Sequence, residues 1–260
     1  MILPANFDIL RLLAIAREAG AAIMSVYEGD IAVEQKADSS PLTLADLRSQ
    51  QVISQRLKSW YPEVPVLSEE TTEHAGYSVR REWSEFWLVD PLDGTKEFIK
   101  RNGQFTVNIA LIQESRPVAG VVYAPARDVA YYGVAGQGAY KVSGEEAPQS
   151  LVRRERQDAG TLMVVASLSH HSPEVDAFVA EKRQKYKNVE LLNIGSSLKI
   201  CMVAENSADV YPRLGPTMEW DTAAAHAVAA AAGRRVRNYR TGDDLLYNKE
   251  NLLNDWFIVE

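Results

Sequence analysis

The chain has 260 residues, 46% of them hydrophobic and 24% charged, with 28 basic against 35 acidic side chains for a net charge of −7. That balance supports a large folded core and argues against a broad nucleic-acid or anionic-membrane surface, which needs a basic face. A single cysteine, Cys201, rules out an internal disulfide and fits a reducing compartment; it lies in a helical pattern where burial and packing account for it.

In chain order, apolar residues at helical spacing (Ile9, Leu12, Leu13, Ala16, Ala19, Ile23) predict a helix over 8–28, stopped by Gly29. The N-terminus lacks a basic stretch followed by an apolar one, so no signal peptide is expected. No window approaches about 20 uncharged apolar residues, so no membrane span is expected either. A second amphipathic helix covers 44–60, ended by Tyr61-Pro62, with Asp46 just inside it. Val64-Pro65-Val66-Leu67 reads as a short strand running into Ser68-Glu69-Glu70, and 86–89 as a buried strand that Asp90-Pro91 should terminate. Four strand-like runs, 106–113, 118–123, 129–134 and 138–142, form a meander. The polar stretch 144–160, with Arg153-Arg154-Glu155-Arg156, reads as a solvated edge or linker. The remainder alternates: strand 161–166, helix 173–185, strand 189–193, helix 196–205, strand 209–211, helix 222–232 capped by Gly233, and strand 256–259. No internal repeat or low-complexity tract interrupts it. This order predicts layered sheets covered by helices, an α/β chain of α+β layers. We read 1–155 and 156–260 as two halves of one compact unit.

The chemistry concentrates in Asp90-Pro91-Leu92-Asp93-Gly94-Thr95. Two carboxylates leave a strand end, where α/β proteins bind ligands, with Gly94 permitting a tight turn. Like charges about 4 Å apart cost roughly 4 kcal/mol at an effective dielectric near 20, and a hard divalent cation removes that cost. A plain polar turn accounts for the five residues Asp90 to Gly94 as well. Asp221, at the start of an alanine-rich helix, reads equally as a cap. Rival chemistries lack their motifs: there is no Gly-x-Ser-x-Gly elbow, no phosphate-binding Gly-x-x-x-x-Gly-Lys loop and no dinucleotide fingerprint. His170-His171 has no partner at zinc spacing, and His226 reads as structural.

Taken together, Glu69-Glu70, Asp90 to Thr95 and Trp220-Asp221-Thr222-Ala223-Ala224 resemble the inositol-monophosphatase-like, lithium-sensitive phosphatases, over essentially the whole chain. Thr95-Lys96-Glu97-Phe98 and Gly195-Ser196-Ser197-Leu198-Lys199 are similar to the bacterial CysQ subgroup of 3'(2'),5'-bisphosphate nucleotidases. The resemblance implies a sugar-phosphatase αβαβα sandwich with its site between the halves, and two or three Mg2+ ions per site. It implies that Glu69, Asp90 and the Leu92 carbonyl hold a first metal, that Asp90, Asp93 and Asp221 hold a second, and that Glu69 holds a third. Asp46 and Thr95 match the pair that positions and helps deprotonate the attacking water, Glu69 counts with them as catalytic, and the Gly94 and Thr95 amides match a phosphate-oxygen site. Glu69, Leu92, Asp93 and Asp221 border the cleaved phosphate, while Ser196, Lys199, Arg213 and His170 match positions on the nucleotide side. The substrate implied is a small nucleotide bisphosphate, adenosine 3',5'-bisphosphate, cleaved to AMP and phosphate; a nucleic-acid polymer is not. Lithium inhibition, a role in sulfur assimilation, a monomer or homodimer, and a cytoplasmic location with room for peripheral contact at the inner membrane face are further implications. An inositol-phosphate or sugar-bisphosphate phosphatase uses the same metals. A silent metal- and nucleotide-binding sensor is the non-enzymatic alternative, against which the water-positioning pair Asp46 and Thr95 stands.

Overall fold

The structure, a computed structural model, describes residues 3–4, 6–29, 31, 33–35, 41–74, 76–154, 160–167 and 172–260. His170 and His171, and part of the charge run beginning at Arg153, lie outside the described residues.

The chain opens with α1 (Ile9–Tyr27), whose N-cap Asp8 accepts the Leu10 N–H. A short hairpin follows, β1 (Val33–Gln35) and β2 (Pro41–Thr43), leading into α2 (Leu44–Trp60). Next come β3 (Val66–Ser68), a 3-10 turn over Glu69–His74, the one-turn helix α3 (Tyr77–Arg80), β4 (Glu85–Asp93) and the short α4 (Thr95–Ile99). The meander is β5 (Thr106–Gln113), β6 (Arg116–Ala124), β7 (Val129–Val134), β8 (Gly138–Ser143) and β9 (Gln149–Leu151). The last of these sits inside the stretch expected to be a linker. The second half supplies β10 (Thr161–Ser167), α5 (Pro173–Lys182), β11 (Asn188–Ile194), α6 (Leu198–Ala204), β12 (Tyr211–Arg213), α7 (Glu219–Ala231), β13 (Val236–Asn238) and β14 (Phe257–Val259).

Strands β3 to β9 form one seven-stranded sheet in sequence order, antiparallel except for the β3–β4 pair. Its pleat sends alternate side chains to two cores. Trp87, Val89, Ile109 and Val121 pack beneath α1 and α2, whereas Phe86, Leu88, Ala110 and Val122 join α6 and α7 on the other face. The approach of α7 is close: a Cβ on Gly120 would lie 2.4 Å from the Ala224 carbonyl oxygen. The second sheet is β10–β11 linked by a parallel bridge between Val164 and Val210 to β12–β14–β13. Val165 of β10 faces α6, while Leu162 and Val164 pack with Phe178 and Val179 of α5. The layers therefore run helix, sheet, helix, sheet, helix, the αβαβα sandwich. Among the described residues no helix is long and apolar enough to cross a membrane.

Strand β4 corrects one expectation. It does not stop at Asp90-Pro91 but continues to Asp93. Asp90 pairs with Asn108 and Asp93 with Thr106, so the pairing advances three residues on β4 against two on β5, a bulge. Proline, with no N–H to give a ladder, is tolerated at such a position.

Candidate active site

The bulge determines where the acids point. Positions three apart in a regular strand face opposite sides of the sheet; one extra residue brings Asp90 and Asp93 to the same side. There they meet Asp221 from the first turn of α7, and ligand atoms of all three carboxylates lie within 4.8 Å of one another. The group borders a cavity of about 470 Å³ that is also lined by Glu69, Leu92, Gly94, Thr95, Ser196, Lys199, Tyr211 and Arg213. Elements of both halves thus converge on one space.

Local bonds hold each acid. Asp90 Oδ1 accepts the Leu92 N–H at 3.0 Å, and the preceding carbonyl, Pro91 O, accepts the buried Ser49 hydroxyl at 2.6 Å. Asp93 Oδ2 accepts from the Ser197 N–H, the Thr106 hydroxyl and Asn108 Nδ2. Ser197 Oγ in turn lies 2.9 Å from both Thr106 Oγ1 and Asn108 Oδ1. Asp221 Oδ2 accepts the Met218 N–H at 2.9 Å, so the capping role is real and coexists with a place in the cluster. Asp46, 2% exposed, is the third residue of α2: its Oδ2 accepts the Thr43 N–H (2.8 Å) and hydroxyl (2.6 Å), while Oδ1 faces the Thr95 hydroxyl at 3.4 Å. Thr95 Oγ1 also lies 3.4 Å from Leu92 O. Gly94 adopts φ 92°, a left-handed conformation suited to glycine, and a Cβ there would meet Gln104 O at 3.1 Å.

The electrostatics follow from burial. Burial first, then Glu69 and the other acids, holds Asp90 well above the usual carboxylate range. Burial also raises Asp93, against the opposing pull of Lys199, and with Asp93 nearby pushes Asp221 up to about 8. Lys199, also lining the cavity, is 8% exposed, 5.9 Å from the Tyr211 ring centroid, and brought down by burial to about 8. Arg213 donates to Pro216 O at 2.6 Å. Acids this crowded, offering only hard oxygen donors, suit an oxygen-ligated divalent cation.

A sequence model of the inositol monophosphatase family matches residues 8–256. The chain belongs to that family. It is 50% identical to a 3'(2'),5'-bisphosphate nucleotidase, CysQ, of Escherichia coli strain K12 over 248 residues, covering 94% of this chain and 96% of that one. The crystal structure of CysQ from Bacteroides thetaiotaomicron superposes with a TM-score of 0.86 at 47% identity, covering 97% of this chain and 96% of the other. A Thermotoga maritima IMPase shares the fold at a TM-score of 0.75 and 20% identity, over 96% and 90% of the two chains.

The structure brings Glu69, Asp90, Leu92, Asp93, Gly94, Thr95, Ser196, Lys199, Arg213 and Asp221 to one cavity, with Asp46 reached through Thr95. His170 lies outside the described residues, and His226 is buried against Tyr247, its Nδ1 3.0 Å from the phenol oxygen. Sequence reasoning missed the residues that aim the acids: Thr43, Thr106, Asn108 and Ser197. The spacing Thr43-x-x-Asp46 is a capping-box signal and was legible; the cross-strand hold on Asp93 was not, because it joins β5 to the start of α6. Tyr211, Thr217 and Met218 also line the cavity without having been singled out.

Proposed function

We propose that the protein is a magnesium-dependent 3'(2'),5'-bisphosphate nucleotidase that hydrolyses adenosine 3',5'-bisphosphate to AMP and phosphate. The observation that carries this reading is one cavity lined by three carboxylates within 4.8 Å of one another and also by two cations, Lys199 and Arg213. A bisphosphate has two anionic ends, one to be cleaved and one to be held, and the relatives' activity points the same way.

Glu69, Asp90, Asp93, Asp221 and the Leu92 carbonyl are the residues that would hold two or three Mg2+ ions. Bound there, such ions neutralise phosphoryl oxygens and lower the pKa of the attacking water. The chain's own residues supply orientation and proton transfer. Asp46 Oδ2 is fixed by Thr43, so Oδ1 and the Thr95 hydroxyl form a paired acceptor and donor that orients a water and takes up its proton. The amides of Gly94 and Thr95, where the chain turns into α4, donate to a phosphate oxygen. In the same cavity, Lys199 and Arg213 hold the uncleaved phosphate, and Ser196 donates from the turn before α6.

Phosphate release with saturating Mg2+ over adenosine 3',5'-bisphosphate, inositol 1-phosphate and fructose 1,6-bisphosphate tests this reading. The nucleotide should lead in kcat/KM by at least about tenfold, or roughly 1.4 kcal/mol of transition-state binding. A lead by either sugar phosphate would overturn the nucleotide assignment and keep the metal chemistry.

A further inference from the structure

The aim of Asp221 depends on its neighbour three residues back. Its Oδ2 is held by the Met218 N–H, so the carboxylate faces Asp90 and Asp93 only if the Met218 backbone stays in place. Residues 214–218 lie between β12 and α7, outside any ladder of the second sheet. What pins them is the segment 246–254, far along the chain. Met218 and Leu253 form an antiparallel bridge, Glu219 N donates to Leu252 O at 2.9 Å, and Asn254 N donates to Thr217 O at 2.8 Å.

The side chain of Asn254 completes this grip. Its Nδ2 reaches Met218 O at 2.8 Å, Thr222 Oγ1 at 3.0 Å and Thr217 Oγ1 at 3.3 Å, so it spans Asp221 from both sides in sequence. Asn254 is 4% exposed and does not line the cavity. A second hold lies next to it: the fully buried Glu219 carboxylate accepts Asn248 N (2.6 Å), Lys249 N (3.0 Å) and Lys249 Nζ (2.6 Å).

We propose that Asn254 is a positioning residue for the metal-ligating Asp221, which makes the segment 246–254 a working part of the metal centre. The inference rests on the assignment of Asp221 as a ligand. Outer groups that orient a ligand govern metal affinity as well as turnover, and small displacements of a reacting geometry are costly in rate. A side chain that served only to stabilise the fold would lower the melting temperature and leave the folded protein's metal affinity alone.

The test is calorimetric titration of Mg2+ into the full chain as parent, Asn254→Leu, Asp221→Asn and the double variant. It is paired with kcat and KM on adenosine 3',5'-bisphosphate, and with circular dichroism to confirm folding. Asn254→Asp, which keeps the shape and removes the two N–H donors, stands in if the leucine variant fails to fold. Asn254→Leu should weaken Mg2+ about ten- to hundredfold and lower kcat at saturating Mg2+, with substrate KM nearly unchanged. Added to Asp221→Asn it should weaken Mg2+ no further. Parent-like Mg2+ affinity in a folded Asn254 variant, or a penalty that adds in full to Asp221→Asn, would overturn the inference and leave Asp221 a ligand. Parent-like affinity in Asp221→Asn alone would remove the ligand assignment and the inference with it.

Discussion

The first turns of α2 and α7 use the same local device for two different tasks. Asp46 and Asp221 are each the third residue of their helix, and each accepts the N–H of the residue three positions back, at 2.8 and 2.9 Å. At α2 the capped residue is Thr43, whose hydroxyl adds a second bond to the same oxygen, so the other oxygen of Asp46 faces Thr95. At α7 the capped residue is Met218, which has no hydroxyl, and the turn is steadied instead by Asn254 and the Glu219–Lys249 contact. Surroundings then separate the roles. Asp221 stands among Asp90 and Asp93 and is pushed up to about 8 by burial and by Asp93, the setting proposed above for a cation; Asp46 faces the Thr95 hydroxyl, the setting proposed for proton transfer.

Removing each acid should sharpen that contrast. Asp221→Asn is expected to lower kcat by about 10⁴-fold, roughly 5.5 kcal/mol of barrier, together with a loss of Mg2+ affinity measured by calorimetry. Asp46→Asn should cost about 10³-fold in kcat with parent-like Mg2+ affinity; joint loss of both quantities would erase the distinction. Thr95→Ala, which deletes the partner of Asp46 alone, should lower kcat by about 10²-fold with KM nearly unchanged, and a pure rise in KM would make Thr95 a binding residue. Lys199→Ala and Arg213→Ala leave both acids in place and should each cost about ten- to hundredfold in kcat/KM on adenosine 3',5'-bisphosphate, sparing 3'-AMP. Equal losses on both substrates would mean these cations serve the metals or the fold.

An effect on stability rather than turnover concerns the anchoring of α7. His226 Nδ1 lies 3.0 Å from Tyr247 Oη, which donates to Thr222 at 3.3 Å. Burial lowers the imidazole from 6.5 to about 4, so the unfolded chain takes up this proton first as pH falls. The stability attached to neutral His226 is complete above pH 6.5 and drains between pH 6.5 and about 4, at up to about 1.4 kcal/mol per pH unit. Denaturant midpoints across that window should fall less steeply for His226→Asn than for the parent; identical slopes would place the proton uptake elsewhere.

How much of this was legible in the sequence depends on the range of the interaction. The long helices, the meander and the acidic strand ends rest on periodicity and turn chemistry and were readable. The resemblance carried by Asp90 to Thr95 and Trp220 to Ala224 groups Asp90, Asp93 and Asp221, which the structure brings within 4.8 Å of one another. The continuation of β4 through Pro91 was not readable, because a proline inside a strand is tolerated only at a bulge, and a bulge is a property of the pair β4–β5. The strands β9 and β13 are three residues each and take their order from neighbours rather than propensity. Asp221 reads equally as a cap in the sequence because it both accepts the Met218 N–H and stands in the acidic cluster, and the second fact is visible only in three dimensions.

Asp90, Asp93 and Asp221 are proposed as a cation site, three carboxylates crowded within 4.8 Å of one another. Asp90→Asn tests it most directly, read as melting temperature with and without Mg2+. Burial and its acidic neighbours hold Asp90 well above the usual carboxylate range, so the amide should leave the metal-free protein at least as stable as the parent. Mg2+ at about 100 times its dissociation constant should stabilise the parent by roughly 2.7 kcal/mol and the variant hardly at all. A variant that Mg2+ stabilises as much as it does the parent, or one much less stable than the parent without metal, would contradict the account.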